Sequence, residues 1–99
     1  MFVALERLLN LHDGYRRVFR VAQRDVLLLV AEGRSFLLEN RCPHQGAALH
    51  GATLSGRTLR CGRHGVEFDL DSGRALNAVC PGLLRLELAY DGDHVGVDL

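Results

Sequence analysis

The chain has no tryptophan and no lysine, and all twelve of its basic residues are arginine. Net charge is also missing, because twelve acidic residues balance the arginines. Without a basic excess, a basic stripe or interleaved aromatic residues, nothing points to nucleic acid. The charges describe a mixed, solvated surface. No segment approaches the roughly 20 apolar residues that a bilayer-spanning helix needs. The longest apolar run, VLLLVA at residues 26–31, has the length of a strand. The opening MFVALERLLNLHDG lacks a basic start, a long apolar stretch and a small-residue cleavage site, so a soluble cytoplasmic protein with no membrane partner is expected. There are three cysteines, Cys42, Cys61 and Cys80. An odd count in such a chain argues against a disulfide framework and for metal or redox chemistry.

What remains suits one domain over residues 1–99, since no linker, repeat or low-complexity tract interrupts it. Apolar residues make up 47% of the chain, yet a core this small has little margin. A bound metal centre would act as a staple. Leu5, Leu8 and Leu9 predict a short helical turn that ends at Asp13-Gly14. Strands are predicted over residues 15–22, 26–31 and 35–39. In LLRLELAY, residues 83–90, Leu84, Leu86 and Leu88 alternate with Arg85 and Glu87, the period of a half-buried strand. Asp91-Gly92 turns it into a hairpin partner, HVGVDL. Residues 41–82 are glycine-rich and read as loops. The expected class is all-β: a small antiparallel sandwich or barrel with a loop-rich subdomain at residues 41–82.

That subdomain holds two knots, Cys42-x-His44 and Cys61-x-x-His64, separated by 16 residues. Two short ligand pairs on separate loops can form a four-ligand metal site. One occupant is structural zinc in a two-Cys, two-His tetrahedron. The other is a [2Fe–2S] cluster with both cysteines on one iron and both histidines on the other. Zinc modules of this ligand type usually place a Cys pair before a His pair, whereas each loop here mixes the two. As ordinary core or surface residues, the four would owe their spacing to chance. Cys80 reads as a small buried hydrophobe. His12, His50 and His94 lack partner spacing and read as surface histidines.

With CPHQGAAL and CGRHGVEFDLDSGRAL around the knots, the chain resembles the Rieske-type ferredoxins over nearly its whole length. The resemblance implies a Rieske fold and one [2Fe–2S] cluster, with Cys42 and Cys61 on a buried iron and His44 and His64 on an outer one. It places a covering loop at residues 77–83, with Pro81 as its proline. High-potential members carry an extra cysteine in each loop, and a serine and a tyrosine after the second. Here those positions are Ala47, Arg63, Val66 and Phe68. The implied potential therefore lies at the low end of about −150 to +300 mV. The aromatic residue frequent after the second histidine is also absent.

The three histidines left over and 99 residues leave no room for a mononuclear-iron catalytic domain, so an electron carrier is implied rather than an enzyme. The implied partners are a flavoprotein reductase as donor and a terminal oxygenase or reductase as acceptor, serving a monomer. The expected docking tip comprises Pro43, Ala47, Leu49 and Pro81, with Gln45 and Arg63 beside it. Two other functions compete: a small Rieske-like subunit of a reductase, as in assimilatory nitrite reductase, and a zinc-stabilised interaction module.

Overall fold

In the computed structural model, which describes all 99 residues, the chain opens as a strand, β1 (Phe2–Arg7), followed by a single 3₁₀ turn (Leu8–Asn10). The helical expectation held only for that turn. Residues before it pair with the C-terminal strand, and this long-range partner leaves no local signal in the sequence. Two tight hairpins follow, built from β2 (Arg16–Val21), β3 (Arg24–Ala31) and β4 (Arg34–Glu39). Three short strands, β5 (Thr53–Ser55), β6 (Thr58–Arg60) and β7 (Glu67–Asp69), lie inside the segment expected to be loops. The chain closes with β8 (Arg85–Leu86), β9 (Ala89–Asp91) and β10 (His94–Asp98). The strand expected over residues 83–90 is therefore split between β8 and β9. Its two halves join different sheets.

All pairings are antiparallel, in three sheets ordered β1-β10-β9, β2-β3-β4-β8 and β5-β6-β7. The β3 strand explains the VLLLVA run. Successive strand side chains point to opposite faces. Leu27, Leu29 and Ala31 face one core, and Val26 and Leu28 face a second, smaller one with Val95 and Val97. A strand buried on both faces reads as a continuous apolar run. The larger core includes Leu38, Leu49, Leu59, Phe68 and Leu70, and with them Cys42 and Cys61. Both cysteines thus belong to the hydrophobic interior.

The β5–β7 sheet is tied to the main sheet by charge. Arg57 reaches Glu32 at 3.4 Å and Asp71 at 3.1 Å, and Arg34 reaches Asp71 at 3.1 Å. At the other end, Glu6 accepts hydrogen bonds from Asn10 Nδ2 (2.9 Å), Tyr15 Oη (2.8 Å) and the Arg7 N–H (2.8 Å). In that order these donors hold its carboxyl down at about 2. Burial, then the same bond to Glu6, pushes the Tyr15 phenol up to about 12.

Two outcomes are expected. A Cβ at Gly96 would stand 1.9 Å from the Val3 carbonyl oxygen, so Gly96→Ala should force β1 and β10 apart and cost about 3 kcal/mol or more in urea unfolding. The depressed Glu6 pKa adds stability that is present above the unfolded carboxyl value of about 4.3 and lost as pH falls towards about 2. Glu6→Gln should flatten the stability–pH curve in that window, and an unchanged acid limb would show that the network does not act on folding.

Candidate metal centre

The two knots fold into near-copies of one turn. Cys42 follows β4 after two residues, and Cys61 follows β6 directly. In the first, the Cys42 N–H donates to the Ala47 carbonyl and the Gly46 N–H to the Cys42 carbonyl, each at 2.6 Å. In the second, the Cys61 N–H donates to the Val66 carbonyl and the Gly65 N–H to the Cys61 carbonyl, each at 2.9 Å. Both turns need a left-handed residue four positions after the cysteine. Gly46 (φ 78°) and Gly65 (φ 69°) supply it at no steric cost. In both, the arginine preceding the cysteine lays its guanidinium over that glycine. A Cβ would meet Arg41 Nε at 3.2 Å or Arg60 Nη2 at 3.0 Å.

The turns bring the four singled-out residues together as two pairs. Cys42 and Cys61 are both buried, in the same core cluster. Burial pushes the Cys42 thiol up and the Cys61 contact adds to this, while hydrogen bonds from the backbone at His44 and Gln45 favour the thiolate. The His44 and His64 rings stand edge to face, with centroids 5.4 Å apart and planes at 68°. His44 is half-buried and its Nδ1 is fully enclosed with no hydrogen-bond partner, whereas His64 is exposed. A buried ring nitrogen without a partner is costly unless something fills its lone pair. No three His, Cys, Asp or Glu side chains gather round a single-ion position. The donors sort into a sulfur pair and an imidazole pair, an arrangement that suits a two-metal cluster.

Two asparagines hold the turns, and no spacing rule singled them out. Asn40 Oδ1 accepts from the Leu49 and His50 N–H groups, both at 2.8 Å. Arg16, from β2, donates to the His50 and Ala52 carbonyls. Asn77 Oδ1 accepts from the Glu67 N–H at 2.8 Å and its Nδ2 donates to the Gly65 carbonyl at 3.0 Å. The segment expected to cover the site is therefore fastened to the second turn. Behind it, the Leu83 N–H donates to the Gly73 carbonyl at 2.7 Å.

Other expectations fare unevenly. Val66 and Phe68 are buried, with no hydroxyl to offer. Cys80 is half-buried against the larger core, as a small hydrophobe would be. His12, His50 and His94 stand apart from the two pairs: His12 edges onto Tyr15, His50 meets Asn40 and His94 meets Asp93. Leu49 does not belong to the tip. It is fully buried in the larger core, and the exposed apolar residues near the site are Leu76, Val79 and Leu84. No helix is long and apolar enough to cross a membrane.

Residues 1–86 match the model of the Rieske [2Fe–2S] domain. The chain is 32% identical over 87 residues to the ferredoxin component of the alkene monooxygenase system of Xanthobacter autotrophicus (strain ATCC BAA-1158 / Py2), covering 87% of this chain and 71% of that one. It is 31% identical over 80 residues to the ferredoxin component of the naphthalene 1,2-dioxygenase system of Pseudomonas aeruginosa, covering 80% and 77%. Among solved structures, the Sphingomonas yanoikuyae B1 ferredoxin superposes with a TM-score of 0.86 at 21% identity, over 100% of this chain and 99% of that one. The last likeness shows the fold, and agrees with the all-β class expected from the sequence.

If the asparagines hold the turns, Asn40→Ala and Asn77→Ala should each remove two hydrogen bonds and cost about 0.5–1.5 kcal/mol in urea unfolding. Losses below a few tenths would show that water replaces the amides.

Proposed function

The chain belongs to the Rieske [2Fe–2S] family, and on that premise we propose that it is a one-electron carrier of a multicomponent oxygenase rather than an enzyme itself. Cys42 and Cys61 would hold one iron of the cluster, and His44 and His64 the other. The observation that carries this reading is the sorting of donors into a buried thiol pair and an imidazole pair, with His44 Nδ1 enclosed and unpartnered. When bound, the cluster supplies a redox centre that takes up and releases a single electron.

The protein's own residues do the rest. The thiols must lose their protons to ligate, and burial resists that at Cys42, so loading releases protons and favours higher pH. Leu27, Leu29, Leu38 and Phe68 exclude water on the inner side. Backbone N–H groups near the Cys42 sulfur stabilise negative charge there. On the outer side, exposed His64 and half-buried His44 present their rings to a docking partner. The absence of hydroxyls at Val66 and Phe68 supports a potential at the low end of the range.

The named relatives are ferredoxin components of an alkene monooxygenase and a naphthalene dioxygenase system. They support a terminal oxygenase as acceptor, and we infer a flavoprotein reductase as donor. We infer further a single domain over residues 1–99, acting as a cytoplasmic monomer.

The test is an ultraviolet–visible spectrum of the purified protein, with electron paramagnetic resonance after dithionite reduction. A red-brown protein with a mixed-ligand [2Fe–2S] signal at low average g supports the reading. A colourless protein holding one zinc per chain overturns it. Cys61→Ser and His64→Cys should abolish or alter the spectrum, and His94→Ala should leave it intact. A native spectrum in either of the first two would refute the ligand assignment.

A further inference from the structure

The chain as a whole is neutral, but its charges are not evenly placed. The three segments around the paired imidazoles, residues 40–50, 60–66 and 76–84, carry three arginines and no carboxylate. Arg41, Arg60 and Arg63 are all exposed. Arg7, Arg17, Arg20, Arg24, Arg34 and Arg57 each pair with a carboxylate, whereas Arg41, Arg60 and Arg63, like Arg16, Arg74 and Arg85, do not. Glu67 lies opposite Arg60 across the β6–β7 ladder and offsets that one charge. Arg41 lines an open depression of about 480 Å³ with Pro43, His44 and Gln45. Glu39 shares that depression but is engaged by Arg24 at 3.7 Å. Arg63 sits between Cys61 and His64 in the second turn.

The segment at residues 76–84, fastened to the second turn through Asn77, is apolar. Val79 is fully exposed, and Leu76 and Leu84 are 57% and 52% exposed. Pro81 is exposed between them in sequence, on a segment without charge. Large apolar side chains left open beside unpaired cations describe a contact surface.

We propose that this end docks an electron-transfer protein whose contact face carries carboxylates around an apolar patch. The proposal rests on the reading above, in that the exposed His64 ring and the half-buried His44 ring mark where electrons cross. Arg41 and Arg63 flank the two histidines, so their field acts where encounter must occur. Exposed charges of this kind set association rate and orientation more than affinity, which suits a partner that must leave after one electron. Because the protein is neutral overall, the steering is local.

The test uses the dithionite-reduced protein and two small oxidants of opposite charge. Ferricyanide is a trianion and hexaammineruthenium(III) a trication. Each takes one electron from the reduced protein, giving ferrocyanide or the ruthenium(II) complex, with no bond or proton changed. The ferricyanide rate should fall roughly tenfold between about 10 mM and about 0.3 M salt, and the ruthenium rate should rise. Arg63→Glu and Arg41→Glu should each lower the low-salt ferricyanide rate by roughly threefold or more. Arg7→Glu, the same change of net charge on β1, should leave it nearly unchanged. Flat salt dependence, or an equal effect of Arg7→Glu, overturns the proposal.

A second measurement does not need a redox centre: anisotropy of fluorescent deca-aspartate titrated with the purified protein. Binding that Arg63→Glu weakens and Arg7→Glu does not supports the acidic-partner face. No binding at low salt overturns it. A colourless protein that still binds deca-aspartate this way would sink the electron-carrier reading while leaving the docking face in place.

Discussion

Two thiols pressed together in a hydrophobic interior are the constraint on which the rest of the loop end depends. Burial disfavours a thiolate, and a second sulfur beside it disfavours it further. Cys42 and Cys61 nevertheless sit among Leu27, Leu29, Leu59 and Phe68, each almost wholly out of water. Metal ions held by these sulfurs would offset that cost, because they would replace the protons and neutralise the sulfurs. Under the proposed ligand assignment, folding of this end and loading of the cluster would be linked equilibria. The core supplies the floor of the site, and β3, buried on both faces, supplies the core.

The precision of the site comes from polar groups around it. Each turn closes through the same pair of backbone hydrogen bonds and rests under the arginine that precedes its cysteine. Asn40 and Asn77 then fasten each turn to a neighbouring segment through side-chain amides. The Arg57 network joins the small sheet to the main one, and the two turns also meet directly, Cys42 and Cys61 in one core and His44 against His64. Such supporting contacts orient ligands and tune the group they hold.

Much of this was legible in the sequence, and the reasons differ by element. The β2–β4 hairpins follow from apolar runs of strand length and from Glu32-Gly33, whose positive φ values form the tight turn. The Cys/His spacing pointed to residues that do converge in space. The other hairpin turn, Ala22-Gln23, also takes positive φ at both positions but lacks glycine, so no residue type announced it. The helical spacing of Leu5, Leu8 and Leu9 survives only in the 3₁₀ turn at Leu8–Asn10, because the pairing of β1 with β10 keeps Leu5 in a strand. The β5–β7 strands are three residues each, too short for a period to show. Leu49 was misplaced because proximity to His44 in sequence suggested the tip, while Asn40 draws its N–H inward and buries it. The two asparagines carry no spacing signal at all, since their roles depend on loops meeting in three dimensions.

The two turns share a backbone but not a sequence phase. Counted from the cysteine, histidine is the third residue in one and the fourth in the other. That single step of offset gives one ring an enclosed nitrogen and leaves the other open to solvent. A frame that is nearly symmetric therefore produces a site with two distinguishable doors. The two rings thus offer unlike surfaces at one small end of the molecule.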